Sequence, residues 1–329
     1  MLTTIMSRVL KLSVLFAAVL FSVASAHAQN FPDRAVRLIL PYPAGGGVDA
    51  NGRLLAKALS EMWKVPVVVE NMAGAATTIA TKAVINAKPD GYTLGMVTSR
   101  LAINPAMYTT MPYAQDDFLP ISQVLVSPLY VIANPKAPGA NFAELVKYAK
   151  EHPNEVTVAT SGPGDITSLP IEILNRAAGI QLKQIPYLGA APSLTAAVGG
   201  EVNLTSSVYP VFKSMLKDGR IKMVAVTGDS RSPSQPDVPS IKEVAPSYSG
   251  VEEWYGFIGP KGIPAPIVDK IQKDLAKAME TKELKDRFND DGNVVVGSTP
   301  DQFSAFLKRE TDNWKKRVGE IGLAPMELK

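Results

Sequence analysis

Three glycine-rich turns are the places where this chain can hold a ligand: Pro43 to Asp49, Ala73 to Ala76, and Ser161 to Gly164. Each precedes a helical run. The unpaired N–H groups and the dipole at a helix start favour an anion, as carboxylate or phosphate. Glycine lets such a ligand approach the backbone closely. One turn of this kind is ordinary in any strand–helix unit; three, spread over two halves of the chain, point to an anion site. The polar side chains beside them are Tyr42, Thr77, Thr78, Thr98, Ser99, Arg100, Ser161, Thr167, Tyr187 and Asn203. Arg100 directly follows the third expected strand, where a guanidinium could grip a carboxylate through two parallel hydrogen bonds. A ligand with a second anionic end is the expectation that follows.

The residues that usually run acid–base or metal chemistry are scarce. The chain has no cysteine and two histidines, so disulfides, thiolate nucleophiles and cysteine metal sites are excluded. His27 lies in the first, apolar stretch. His152 sits before Pro153, as at the exposed end of a helix. A Ser-His-Asp triad or a two-histidine zinc site has nothing to be built from, and no G-x-S-x-G elbow or P-loop occurs. Gly45 and Gly47 come near a dinucleotide fingerprint, with Ala50 in the third glycine position and Glu70 at the end of the next strand. No catalytic residue, metal or cofactor is expected.

Elements of an α/β protein must position these turns. A strand at Val36 to Leu40 runs into the first glycine turn. Leu54, Leu55, Ala58, Leu59 and Met62 then repeat at helical spacing, with Asp49 read as the N-cap. Val65 to Asn71 is a near-continuous apolar strand of the kind buried in parallel sheets. A third strand covers Tyr92 to Val97. Leu119 to Ala133 is long, extended and interrupted by Pro128, and reads as the strand that leaves one domain and enters another. A second set follows: a helix over Glu144 to Lys150, a strand over Val156 to Thr160, and a helix through Ala178 stopped by Gly179. Further strands fall at Lys183 to Pro186, Val202 to Ser206 and Met223 to Thr227. Glu253 to Ile258 reads as the return strand, and two helices finish the chain, the last opening at Thr299-Pro300-Asp301-Gln302. A chain that leaves one domain, builds another and returns makes a two-segment hinge. The expected boundaries are 29–127 plus 251–329 for the first domain and 128–250 for the second.

Residues 1–28 read as a secretory signal peptide. Arg8 and Lys11 are its only charges, an apolar run covers Val14 to Ala24, and Ala26-His27-Ala28 is a small-x-small cleavage site. The run is short for a bilayer span. Cleavage after Ala28 and a periplasmic location are expected. The formal net charge of +3 then falls to about +1, because two positive and no negative charges leave. Such a balance does not suit a phosphate backbone, so nucleic acid is not an expected partner.

In order along the chain stand Leu40-Pro41-Tyr42-Pro43-Ala44-Gly45-Gly46-Gly47-Val48-Asp49, Val67-Val68-Val69-Glu70-Asn71 and Lys88-Pro89-Asp90-Gly91-Tyr92-Thr93-Leu94. Asn104-Pro105, Met111-Pro112-Tyr113, Ile185-Pro186-Tyr187-Leu188-Gly189, Gly199-Gly200-Glu201-Val202-Asn203 and Pro236-Asp237-Val238-Pro239 follow. Together these resemble the Bug, or tripartite tricarboxylate transporter, extracytoplasmic solute-binding receptors, over nearly the whole chain after about Phe31. The resemblance implies a two-domain periplasmic binding protein (type II-like). Each domain would be a mostly parallel sheet flanked by helices, with the ligand cleft between them. It implies no enzyme and no cofactor, but a monomer that captures a small carboxylate (a di- or tricarboxylate or an aromatic acid) and delivers it to membrane transporter subunits. A ligand-presenting role beside a membrane kinase, or an exported α/β enzyme, are the alternatives. Carried over, the family's binding positions are Tyr42, Ala44, Gly45, Gly46, Asp49, Gly74, Ala75, Ser161, Gly164 and Tyr187; Ser99, Arg100 and Asn203 join them from their places beside the turns. The chain departs from the family at Met72 to Thr77, at Ser168, at Leu188 and at Asn203.

Overall fold

The computed structural model describes residues 31–328; the expected signal peptide lies outside the described residues. Two mixed sheets organise the chain. The first is built from β1 (Val36–Leu40), β2 (Val67–Asn71), β3 (Thr93–Thr98), β4 (Phe118–Ser127), β10 (Glu253–Pro260) and β11 (Val294–Val295), in the order β11-β4-β10-β3-β1-β2. The second holds β5 (Leu129–Ala133), β6 (Thr157–Thr160), β7 (Lys183–Pro186), β8 (Leu204–Val208) and β9 (Lys222–Val226), in the order β7-β6-β8-β5-β9.

The expectation of mostly parallel sheets needs one refinement. β1 pairs in parallel with β2 and β3, and β6 with β7 and β8, but β10 runs against β3 and β4, and β5 runs against β8 and β9. The reversal follows from the route of the chain. β4 ends at Ser127, Pro128 interrupts the pairing because it has no N–H to donate, and β5 begins at once in the other sheet. β10 makes the return journey. Each crossing strand therefore starts where the others of its sheet end. Leu129 pairs with Val208, and Tyr255 with Thr98. One edge of the fold collects the carboxyl ends of β1, β3, β6 and β8 together with the first residues of β5 and β10.

Helices cover both sheets. α1 (Gly47–Trp63), α2 (Thr78–Ile85), α3 (Arg100–Met107), α9 (Ala265–Met279), α10 (Lys282–Asp290) and α11 (Pro300–Glu320) accompany the first sheet. α4 (Phe142–Glu151), α5 (Leu169–Ala178), α6 (Ala190–Gly199), α7 (Tyr209–Lys217) and the short α8 (Ile241–Val244) belong to the second. Local rules set several ends. Thr299 Oγ1 accepts from Gln302 N at 3.3 Å while Gln302 Oε1 accepts from Thr299 N at 2.9 Å, a reciprocal cap. Gly179 ends α5 in the left-handed region. His152 follows α4 and stacks on Tyr148. The expected final pair of helices is three, because the amphipathic run breaks between Met279 and Lys282. A continuous apolar cluster runs from Ile39 and Ile258 of the first sheet to Val131 and Val158 of the second. A separate one seals α1 and α9 against the first sheet's other face through Leu38, Leu55, Leu59 and Ile271.

Candidate functional site

A cavity opens at the shared edge, between the two sheets. From the first-sheet side come Tyr42, Ala44, Gly46, Gly47, Val48, Glu253 and Tyr255. From the second-sheet side come Ser161, Asp165, Thr167, the segment Leu188 to Pro192, and Ser207 with Val208. Among the described residues no lysine, arginine or histidine lines it, so an anion bound here is held by backbone N–H groups and hydroxyls.

Two helix starts supply those N–H groups. α1 begins after Gly46 and α6 after Gly189, and neither has a side-chain cap. The first N–H groups of a helix have no partner within it, and here both sets lie in the cavity wall, on opposite sides. The sequence turn is what makes this approach possible. Gly45 adopts φ +92°, a region an L side chain rarely enters. A Cβ on Gly47 would collide with Val208 Cγ2 and stand 2.9 Å from Tyr255 Oη, so the start of α1 sits directly against the end of β8.

Asp49 has a different place from the one expected. α1 starts three residues earlier than an Asp49 cap would require, because the glycines permit it, and Asp49 is buried in the first turn. Its carboxylate accepts from Gly45 N at 3.1 Å, Arg53 Nε at 2.9 Å and Asn71 Nδ2 at 3.1 Å. It shapes the glycine turn from behind rather than lining the cavity. Burial alone would raise its pKa, but these partners hold it below the ordinary value.

Arg100 is buried, not free. Its Nη1 donates to Asp165 Oδ2 at 2.7 Å and its Nη2 to Tyr108 Oη at 3.1 Å. Tyr42 Oη also donates to Asp165 Oδ2, at 3.2 Å, while Thr167 N and Oγ1 each donate to Asp165 Oδ1 at 3.1 Å. The guanidinium thus answers a carboxylate of the protein itself, which corrects the expectation that it would grip a ligand. The pair joins α3 on the first-sheet side to the loop after β6 on the second.

Glu253 is the other carboxyl in the wall. It is 5% exposed, and its Oε1 accepts from Ser99 N at 3.1 Å, Ser99 Oγ at 2.7 Å and Trp254 N at 3.1 Å. Burial pushes its pKa up to about 7; the Ser99 hydrogen bonds oppose that rise and the nearby Asp165 adds to it. Ser99 therefore orients Glu253 instead of lining the cavity. Burial, with Asp165 second, likewise holds the Tyr42 hydroxyl well above its ordinary pKa.

Of the sequence-derived candidates, Tyr42, Ala44, Gly46 and Ser161 line the cavity. Gly45 and Asp49 shape its first turn. Gly164 is packed against Met107, and half-buried Tyr187 anchors the chain before Leu188 by donating its N–H to Thr160 O at 2.8 Å. Gly74 and Ala75 lie outside the cavity wall, at the start of a turn in which Ala75, Ala76 and Thr77 are all left-handed. Asn203 is a correction. Its Oδ1 accepts from Thr157 N at 2.9 Å and Oγ1 at 3.0 Å, at the amino ends of β6 and β8, whereas the cavity meets their carboxyl ends. Sequence reasoning missed Asp165, Glu253, Tyr255 and the start of α6. For α6 a signal existed, a glycine ahead of the alanine-rich run.

Comparison with known proteins shows the family to which the chain is similar. Residues 52–323 match the family model described as tripartite tricarboxylate transporter family receptor. The protein BugT of Bordetella pertussis is 30% identical over 320 residues, 96% of this chain and 98% of that one. An R. palustris protein solved with adipate superposes with a TM-score of 0.85 at 29% identity, covering 90% of this chain and 100% of the other. The periplasmic binding protein BugD does so at 0.83 and 31%, again over 90% and 100%. The chain belongs to the tripartite tricarboxylate transporter receptor family, the Bug-type solute-binding proteins.

Proposed function

We propose that this protein is a periplasmic receptor that traps a small carboxylate between its two lobes and hands it to membrane transporter subunits, without chemically altering it. One observation carries the reading: two uncapped helix N-termini, those of α1 and α6, enter one cavity from opposite sides, where none of the described residues puts a cationic side chain in the wall. Free amides of this kind suit a carboxylate. The adipate carried by the R. palustris relative is a ligand of that class.

The lobes correspond to residues 29–127 with 251–329 and to 128–250. The connections at Pro128 and just before Glu253 are the two strands of a hinge. Closure would bring the α6 start down on a carboxylate already held at α1. A single copy contains both walls of the cavity, in keeping with a monomer. Delivery to a tripartite tricarboxylate-type permease is the role that the family name carries.

A thermal-shift screen of the purified protein against succinate, adipate, caproate, benzoate and amino acids tests the reading. A ligand that binds only the folded state raises the melting temperature. At least one small carboxylate should do so, and mass spectrometry should recover it unchanged. A panel with no response, or a ligand recovered as product, sinks the proposal.

A further inference from the structure

A cavity suited to an anion contains a buried carboxyl, and the two are compatible in only one protonation state. Glu253 stands at the start of β10, and its three hydrogen bonds, from Ser99 N, Ser99 Oγ and Trp254 N, all converge on Oε1. Oε2 receives none among the described residues, yet it is not among the atoms sealed off without a partner, and Glu253 lines the cavity. The partners of Oε1 are all donors. An oxygen that already accepts from three donors is a poor seat for a hydrogen, so a protonated Glu253 carries its O–H on Oε2, the oxygen open to the cavity.

The surrounding charges favour that form. Asp165, on the loop after β6, lies in the same wall, but Arg100 of α3 answers it directly at 2.7 Å. Tyr42, after β1, and Tyr255, on β10, both have pKa values raised by burial and stay neutral. Among the described residues no cation is left to balance an ionised Glu253, and burial already holds its pKa at about 7. An arriving carboxylate adds a like charge, which raises the pKa of a neighbouring carboxyl further. Once protonated, Glu253 no longer repels the ligand. It gives it a charge-assisted hydrogen bond, the stronger kind.

We propose that Glu253 is a ligand-binding residue that acts as a neutral acid: its Oε2–H donates to a ligand carboxylate oxygen, and above neutral pH each ligand captured brings one proton into the cavity with it. The proton comes from the solvent and comes to rest on Oε2; no bond of the ligand forms or breaks. The inference rests on the carboxylate-receptor reading and adds to it a contact and a proton.

Isothermal titration of the purified protein tests this, with whichever of succinate, adipate, caproate, benzoate and the amino acids raises its melting temperature. At about pH 8, heats measured in two buffers of different ionisation enthalpy give the protons taken up, which should be close to one per ligand. Binding that takes up a proton weakens as pH rises, so affinity should fall roughly tenfold between about pH 6 and about pH 8. Glu253→Gln is a mimic of the neutral acid: its carbonyl oxygen keeps the three donors, and its amide N–H faces the cavity. The variant should bind at about pH 8 more tightly than the native protein, without proton uptake and with the slope removed. Circular dichroism confirms that it is folded; should it not fold, proton uptake by the native protein decides alone. No uptake at about pH 8, or an affinity that rises with pH, overturns the proposal and leaves the receptor reading standing. So does uptake that survives in Glu253→Gln. No binding by any member of the panel removes the carboxylate reading, and the inference with it.

Discussion

Two buried carboxyls stand in the same cavity wall and live under opposite conditions. Asp165 has a guanidinium at 2.7 Å and hydrogen bonds to both oxygens. Among the described residues Glu253 has no cation beside it, and one of its oxygens takes every hydrogen bond. A buried charge is tolerated when it is paired and costly when it is not. The Asp165 corner is therefore structure: it ties α3 to the loop after β6 and fixes how the lobes meet. The Glu253 corner is left incomplete, and its incompleteness points into the cavity. Burial alone does not make a polar group functional; a free acceptor in a cavity wall makes it a candidate.

If that contrast is right, breaking the first corner has the largest effect. Arg100→Ala leaves Asp165 buried without its counter-ion and should cost about 3–5 kcal/mol, the usual loss when one partner of a buried pair is removed. Replacing both, as Arg100→Met with Asp165→Leu, should cost far less, because no charge is then stranded. Urea denaturation of the two variants checks the order; equal losses would mean that the pair is not the structural link.

The second corner should respond in the other direction. A carboxyl whose folded pKa is raised from 4.5 to about 7 holds its proton longer in the folded state. The folded state then binds more protons than the unfolded one between those values, so stability falls as pH rises through that window. The full penalty is on the order of 3 kcal/mol above about pH 7. Glu253→Gln cannot ionise and should be more stable than the native protein at about pH 8, with little difference near pH 4. Melting temperatures across that range decide it, and a Glu253→Gln curve parallel to the native one would remove the strain assigned to this carboxyl.

The contrast also marks where sequence stops being informative. The Thr299 cap, the Gly179 stop and the break at Pro128 were legible because each depends on residues adjacent in the chain. The passage of the chain from one sheet to the other was legible for the same reason; the reversed pairing of β5 and β10 was not. α7 was not, since Tyr209-Pro210 follows a strand without any turn residue to announce a helix. The site divides likewise. Ala44 and Gly46 could be read from their own loop. Asp165 and Glu253 could not, because what they meet depends on two strands that re-enter the sheets reversed. Arg100 was noticed for its charge and misjudged in its role, since its partner lies 65 positions away. Asn203 was misplaced because a strand has two ends, and composition does not say which one faces the ligand.

Gly47 tests how closely the lobes approach. Alanine there would drive a methyl into Val208 and toward Tyr255 Oη, 2.9 Å from the new carbon. Overpacking of this kind costs about 1–3 kcal/mol, and the lobes can relieve it only by separating. Gly47→Ala should therefore weaken carboxylate binding as well as lower the melting temperature, and adding Val208→Ala should recover part of both. A loss of stability that Val208→Ala does not touch would place the strain elsewhere than across the cavity.

Gly46 gives the smallest change in stability and the most selective change in binding. Its backbone is extended, with φ −89° and ψ 177°, and a Cβ there meets nothing within 4 Å. Aspartate at this N-cap position can accept from the free amides of α1, which glycine leaves open. The substitution should raise stability by a few tenths of a kcal/mol, because a side-chain cap with favourable charge replaces glycine. The same carboxylate then occupies the place proposed for the ligand's own. Gly46→Asp should melt slightly higher than the native protein and no longer respond to any carboxylate that stabilises it. Gly46→Ala, which has no group to offer the amides, should keep the response. A variant that gains the cap and still binds would show that the ligand's acid group is held somewhere other than at the start of α1.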